Sequence, residues 1–200
     1  MHWARSNRYR RELLSTARRC VAAGWPVLPG AWWSPIKRRH VCDIPTCLAA
    51  GPHPSVGPIP QDTDLAVYAL CHEEAVVDAW SRHPYSILIP TGIVCDVVEV
   101  PDSAAARLLP ALRRAHLVGP IARHQSQRFI FTTTGSRLDV TDPWFGHNRV
   151  IPHGRGSWVT MPPSLLDGRR VEWLIPPPPR PPWRLPDRDG VLEVLTAAVS

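Results

Sequence analysis

Two cysteines and two histidines lie close together in a proline-rich insertion that spans residues 40–61. They are arranged as His-x-Cys-x4-Cys-x5-His. Zinc prefers thiolate and imidazole ligands, and a loop without a core of its own gains stability from a bound metal. The arrangement predicts one structural zinc ion in a closed site without a catalytic role, with four ligands: His40, Cys42, Cys47 and His53. The spacing differs from that of a standard zinc finger, and the alternative is a loop without metal.

Three acidic residues occur within and just after an apolar segment in the middle of the chain. The stretch Ser86–Asp102 contains short apolar runs, including 87–89 and 93–95, which predict buried strands because no helical period is present. A buried carboxylate is costly unless a positive charge meets it. Asp96, Glu99 and Asp102 are therefore candidate residues of a remnant metal-binding strand. The alternative is that the strand leaves the core near Asp96 and that its acids face water.

Two polar segments in the second half of the chain contain candidate phosphate-binding residues. His124 and Arg128 belong to a polar turn between two predicted strands, where the guanidinium of Arg128 is suited to clamp an anion. His153 and Arg155 belong to a glycine-containing segment whose backbone can approach a ligand closely. The alternative for the first segment is an ordinary hairpin tip. No helix is expected after the second, which excludes a P-loop, and hydrolase motifs are absent.

Three predicted helices and a series of short strands must position these residues. Helical periodicity predicts helices over 11–21, 64–82 and 103–116, although Pro110 should kink or delay the third. The expected strands after Gly119 are 121–122, 129–131, 158–161 and 171–174, separated by turns at 135–136, 146–147 and 167–168. Helices followed by strands predict an α+β domain with mixed or antiparallel central sheets.

The domain organisation is expected to follow the distribution of proline. A compact domain over residues 1–175 is followed by a proline-rich linker, 176–186, and a C-terminal helical tail, 187–200. This tail is expected either to dock on the domain or to become ordered with a protein partner.

The charge balance and the cysteine count restrict the class of protein. Lys and Arg exceed Asp and Glu by 23 − 17 = 6, which favours an anionic partner such as nucleic acid or nucleotides. Five cysteines, an odd number, argue against a disulfide framework, and no segment resembles a signal peptide. No apolar run approaches the ~20 residues that cross a membrane. The expectation is a cytoplasmic protein without a membrane partner.

Several motifs follow one another in a defined order over roughly residues 12–175. They are AGWPVLP at 23–29, Trp80-x3-Pro84 ahead of 87–92, the acidic strand, the basic turn before 129–131, GSWVTMPPS at 156–164 and GRRVEW at 168–173. In this order they resemble the bifunctional DNA primase/polymerase (prim-pol) domain of the archaeo-eukaryotic primase superfamily. The Cys/His insertion is also similar to one in its short actinobacterial members.

The resemblance implies a primase-like fold and a DNA primase/polymerase that uses Mg or Mn. Two metal ions would be bound by an Asp-x-Asp strand and a third acid, and a histidine after the basic turn would contact the incoming nucleotide. Glu99 matches the first acid, but Pro101 occupies the position of the second. Ile151 falls near the third acid, with His153 near a basic partner, and Arg128 stands where the histidine would be.

The sequence therefore predicts a degenerate primase/polymerase-like domain that binds nucleotide or nucleic acid without efficient synthesis. One alternative is an active metal-dependent nucleotidyltransferase that uses Glu99 together with Asp96 or Asp102. A second alternative is a protein-interaction module formed by the zinc loop and the C-terminal tail.

Overall fold

The computed structural model describes residues 7–55, 64–135 and 142–199. In chain order its elements are α1 Asn7–Ala22, β1 Leu28–Gly30, β2 Trp32–Ser34, β3 Arg39–Val41, a 3-10 turn Leu65–Val67, α2 Glu73–Arg82, β4 Ser86–Pro90, β5 Asp96–Pro101, α3 Asp102–Arg114, β6 Ile121–His124, β7 Gln127–Thr132, α4 Pro143–Asn148, β8 Ile151–His153, β9 Trp158–Thr160, β10 Leu165–Leu166, β11 Arg169–Arg170, β12 Glu172–Ile175 and α5 Arg188–Val199. This mixture of helix and sheet confirms the α+β expectation.

The chain divides into two compact units. The first contains Met1–Pro90 and Trp158–Glu172, and the second contains Thr91–Ser157 and Trp173–Ser200. Both the proline-rich segment and α5 therefore belong to the second unit, and the boundary expected at residue 175 stays a prediction. No helix in the described ranges is long and apolar enough to span a membrane.

In the first unit, two helices accompany a three-stranded antiparallel sheet with the order β1–β4–β9. Helix α1 buries Leu13, Ala17 and Cys20, whose spacing of three and four residues places them on one face. The hairpin of β2 and β3 leads directly into the Cys/His insertion. The sheet and this hairpin thus provide the rigid base from which the insertion emerges.

The second unit is built on a five-stranded sheet with the order β12–β6–β7–β5–β8. Strand β5 lies in its interior, antiparallel to both β7 and β8. Helices α3 and α5 pack together, and their buried side chains share a core with Val98 and Val100 of β5. The acidic strand is therefore held by a neighbouring strand on each edge and by helices on one face.

Three local predictions differ from the structure. The helix expected over 64–82 is a 3-10 turn followed by the shorter α2, because Leu70 pairs with Val27 through two backbone hydrogen bonds. The apolar run 93–95 is not a strand, since the Gly92 amide donates to the Cys95 carbonyl and closes a turn. The turn expected at 146–147 lies inside helix α4. In each case a specific backbone contact or cap overrides the side-chain pattern.

The docking of α5 gives a first test of the fold. Leu195 is fully buried in the core shared by α3 and α5. Leu195→Ala should lower the free energy of unfolding by about 2–5 kcal/mol, because it removes buried methyl groups and leaves a cavity. Urea denaturation measures this change. Glu193→Ala, at an exposed position of the same helix, is the control and should have little effect. Equal stability of the two variants would show that α5 is not part of the folded unit.

Candidate functional site

The candidate acids lie along β5 and at the start of α3. Asp96 is opposite Thr132 of β7, whereas Glu99 is opposite Phe129 of β7 and Ile151 of β8. Since side chains alternate along a strand, Asp96 and Glu99 point to opposite faces of the sheet, as the sequence predicts. Each acid therefore meets a different set of neighbours.

Asp96 is buried and paired with an arginine from the C-terminal helix. Its Oδ2 accepts from Arg188 Nη1 at 3.1 Å and from the Gly135 amide at 3.2 Å. Both charged side chains are only 4% exposed. The alternative in which Asp96 points at water is wrong, because the strand remains in the core and Arg188 supplies the compensating charge. Arg188 also donates to Asp189 Oδ1 at 2.7 Å, so its guanidinium pairs with two carboxylates, those of Asp96 and Asp189.

Glu99 is the first member of a hydrogen-bonded chain of three side chains. Its Oε2 lies 2.9 Å from His153 Nε2, and His153 Nδ1 lies 3.1 Å from Ser157 Oγ. A carboxylate can only accept, so Nε2 carries a proton; in the neutral imidazole Nδ1 then accepts from the Ser157 hydroxyl. Glu99, which the resemblance implies as the first metal ligand, is thus hydrogen-bonded to an imidazole.

Asp102 pairs with the arginine of the basic turn. Its Oδ1 lies 2.5 Å from Arg128 Nη2, and its backbone amide donates to the Ser126 carbonyl at 2.8 Å. Arg128 Nη1 also donates to the Gln125 and Gln127 carbonyls, at 3.1 and 2.8 Å. The guanidinium predicted as an anion clamp is therefore engaged with the end of its own hairpin and with Asp102.

The three acids do not fit a centre of two divalent ions. Such a centre needs carboxylates that converge on ions ~4 Å apart, whereas these acids have three different basic partners. Asp96 Oδ1 is the one buried carboxylate oxygen without a hydrogen-bond partner in the described part of the chain. A single oxygen falls far short of the donor set of a Mg or Mn ion.

The remaining predicted phosphate-binding residues lie in different surroundings. His124 is buried at the end of β6, whereas Arg155 is exposed in the loop between β8 and β9. Thr91 fixes this loop through Oγ1, which donates to the Gly154 carbonyl at 2.6 Å. Gly92 has a φ of +78° and no space for a side chain, because a Cβ would lie 2.3 Å from Arg155 Cα. The loop that presents Arg155 therefore requires glycine at position 92.

The cysteine and histidine side chains form a second candidate site, in the first unit. The ligand atoms of Cys42, Cys47 and His53 all lie within 4.8 Å of one another, and Cys47 Sγ is 3.3 Å from His53 Nε2. The Ala31 amide donates to the His53 carbonyl at 2.7 Å, which attaches the end of the insertion to the body of the unit. His53 Nδ1 lies 3.0 Å from the Gly51 carbonyl, so Nδ1 carries the proton and the Nε2 lone pair is available to a metal.

This cluster fits zinc. Zn–S and Zn–N bonds of about 2.3 and 2.0 Å at a tetrahedral angle place sulfur and nitrogen roughly 3.6 Å apart, close to the separation of Cys47 and His53. His40, the fourth predicted ligand, lies outside the cluster. Its Nε2 is 3.2 Å from the Leu165 carbonyl, its ring packs edge-on against Trp33, and burial lowers its pKa. The structure therefore brings together three of the four predicted ligands.

Sequence reasoning missed two residues of the candidate site on β5. A carboxylate in a buried strand predicts a cationic partner, but nothing in the sequence indicates that Arg188, far along the chain, supplies it. Ser157 lies within a recognised motif, yet its contact with His153 depends on the turn that the Ser157 amide closes with the Gly154 carbonyl at 3.1 Å. Both contacts are tertiary and carry no periodic signal.

Comparison with protein families gives one match. The Prim-Pol family model, described as "Bifunctional DNA primase/polymerase, N-terminal", matches residues 17–187 of the 200 in the chain. Searches of curated proteins and of solved structures found no match.

The Asp96–Arg188 pair gives a test of charge compensation in β5. Arg188→Met should lower the free energy of unfolding by about 3–5 kcal/mol, because it leaves a buried carboxylate without its cation. Adding Asp96→Asn should recover part of this loss, and urea denaturation of the two single variants and the double variant measures the coupling. Asp78→Asn is the control, because its exposed pair with Arg82 contributes below about 1 kcal/mol. Additive effects of the two buried substitutions would contradict the pairing.

Proposed function

The chain belongs to the Prim-Pol family of bifunctional DNA primase/polymerase N-terminal domains, and from this premise we propose that it binds nucleic acid or nucleotides without efficient synthesis. Membership of the Prim-Pol family supports a primase/polymerase-like function, and the substrates of this family are nucleotides and nucleic acid. The observation that carries the loss of synthesis is the pairing of all three candidate acids with basic residues.

The pairing opposes metal binding energetically as well as geometrically. A divalent ion that took Asp96 from Arg188 would leave the buried guanidinium with Asp189 as its one remaining carboxylate partner among the described residues, and breaking a buried ion pair costs about 3–5 kcal/mol. Glu99 would have to leave His153, and both side chains are largely buried. Because Asp96 and Glu99 lie on opposite faces of β5, even two free carboxylates would not share an ion.

Binding of a polyanion requires surface cations but no metal-binding acids. The chain carries a net charge of +6. Arg123 is exposed on β6, directly opposite Arg128 of β7, whose charge is shared with Asp102. Arg155 adds an exposed cation on a loop that Thr91 and Gly92 hold in place. We therefore expect phosphate contacts without sequence-specific base contacts.

In the first unit, we propose that Cys42, Cys47 and His53 bind one structural zinc ion. The three donors have the chemistry and the spacing that zinc requires, and they lie on a segment with little apolar core. A bound ion would tie the end of β3 to His53, where the chain returns to the sheet. This role is structural and assigns the metal no part in synthesis.

The activity proposal predicts binding without polymerisation. Primer synthesis and primer extension on a single-stranded DNA template with Mg²⁺ or Mn²⁺ should yield no robust product. Fluorescence anisotropy should show binding of single-stranded DNA that weakens with salt, because phosphate contacts release counterions. Arg155→Ala should reduce the salt slope by about 0.7 for the lost contact. Arg19→Ala removes the same charge from an exposed position of α1 and is the matched control.

Two results would contradict this proposal in different ways. Efficient synthesis that Glu99→Gln abolishes would show an active nucleotidyltransferase with a rearranged acidic site. Absence of DNA and nucleotide binding at low salt would instead favour the protein-interaction module. Arg128→Ala should also weaken binding, but it removes the partner of Asp102 as well, so Arg155 gives the cleaner comparison.

The zinc proposal predicts about one zinc ion per chain in purified protein, because the three clustered donors make one site. Inductively coupled plasma mass spectrometry measures the content. Cys47→Ser should lose the ion, whereas Cys71→Ser, which changes an exposed cysteine outside the cluster, should retain it. A zinc content that is unaffected by Cys47→Ser would place the metal elsewhere.

A further inference from the structure

The zinc centre proposed above has three protein ligands in the described chain, whereas zinc takes four. Two further candidates among the described residues, His40 and Asp43, are occupied elsewhere. His40 Nε2 is bonded to the Leu165 carbonyl, and the ring is packed on Trp33. Asp43 Oδ2 accepts from Ser55 Oγ at 2.9 Å and from Tyr85 Oη at 2.7 Å. Among the residues that the structure describes, none is therefore free to complete the coordination, and a ligand from solution can take the fourth position.

A cavity adjoins this position, and two cations line it. Its walls include the three clustered ligands together with Lys37, Arg39 and His40. Lys37 and Arg39 are exposed, and neither forms an ion pair with a described residue. The cavity thus combines metal-binding side chains with two positive charges.

The charges of the site favour an anionic ligand. Two thiolates and a neutral imidazole cancel the charge of one Zn²⁺ ion, so Lys37 and Arg39 make the surroundings of the centre net positive. The guanidinium of Arg39 presents parallel N–H donors that match two oxygens of one oxyanion, and an ammonium is a point charge suited to phosphate. Because both cations line the cavity, an anionic ligand is favoured there.

We propose that the Cys42–Cys47–His53 zinc ion binds a phosphate group in its open fourth position, with Lys37 and Arg39 as the residues that select the anion. This inference rests on the proposed zinc site and not on nucleic-acid binding by the second unit. The shared chemistry is a phosphate monoester or inorganic phosphate, and one source consistent with the family is the terminal phosphate of a nucleic acid. The competing arrangement is a closed site in which His40 turns to become the fourth ligand.

Cobalt substitution distinguishes an open site from a closed one. Full-length protein is freed of zinc, loaded with one equivalent of Co²⁺ and titrated with inorganic phosphate at constant ionic strength. The visible d–d bands of Co²⁺ report a change in its ligands directly, without any activity. We expect a saturable shift of these bands with phosphate and no change on His40→Gln, which keeps a donor for the Leu165 carbonyl but removes the imidazole.

The lining cations provide the second arm of the experiment. Lys37→Ala and Arg39→Ala should each raise the apparent Kd for phosphate about tenfold, the effect of losing one charge-assisted contact. Arg38→Asn is the matched control, because it removes a charge from the same turn at a φ of +51° that asparagine tolerates.

A DNA oligonucleotide with a 5′-phosphate is compared with the same oligonucleotide ending in a 5′-hydroxyl. Tighter binding of the phosphorylated end than of inorganic phosphate assigns the source to nucleic acid, and the reverse assigns it to free phosphate.

Three results would overturn the inference. If the Co²⁺ d–d bands do not change with phosphate but change on His40→Gln, the site is closed and has four protein ligands. A phosphate response that Lys37→Ala and Arg39→Ala leave unchanged would show that the basic cavity does not select the anion. Failure to bind Co²⁺ would remove this inference and the zinc proposal together, while salt-dependent DNA binding by the second unit would be measured independently.

Discussion

Compensation of the buried charge on Asp96 is the interaction on which the second unit depends. A carboxylate in the interior of a five-stranded sheet is stable only if a cation reaches it, and Arg188 does so from the first turn of α5. The same helix buries Val191 and Leu195 against α3. One ion pair therefore connects the candidate catalytic strand to the C-terminal helix, and it engages Asp96, one of the three candidate metal ligands.

The geometry of β5 extends this constraint to the other acids. Because side chains alternate along a strand, Glu99 lies on the face opposite Asp96, where it contacts His153. Asp102 lies at the start of α3, where it pairs with Arg128. The acidic segment has kept its place in the sheet, while each negative charge contributes to local structure. This pairing is the basis of the proposal that the domain binds polyanions through surface cations without efficient synthesis.

Much of this arrangement could be predicted from local sequence patterns, but the tertiary contact partners of its side chains could not. The Ile- and Val-rich strands, the helical face of α1 and the cluster of Cys42, Cys47 and His53 all have short-range signals in the sequence. The assignment of Arg188 to Asp96, and of His40 to the Leu165 carbonyl, depends on contacts between residues far apart in the chain. Spacing alone could not separate His40 from the other zinc ligands, because its neighbours in space decide where its ring nitrogen points.

The most direct test of the central claim is to count the manganese ions that the protein binds. Zinc-loaded protein is titrated with Mn²⁺, and electron paramagnetic resonance measures the free ion in the wild type and in Glu99→Gln. If Asp96, Glu99 and Asp102 are committed to Arg188, His153 and Arg128, respectively, the wild type and Glu99→Gln will leave the same amount of Mn²⁺ free. A saturable manganese site in the wild type that Glu99→Gln removes would contradict the account.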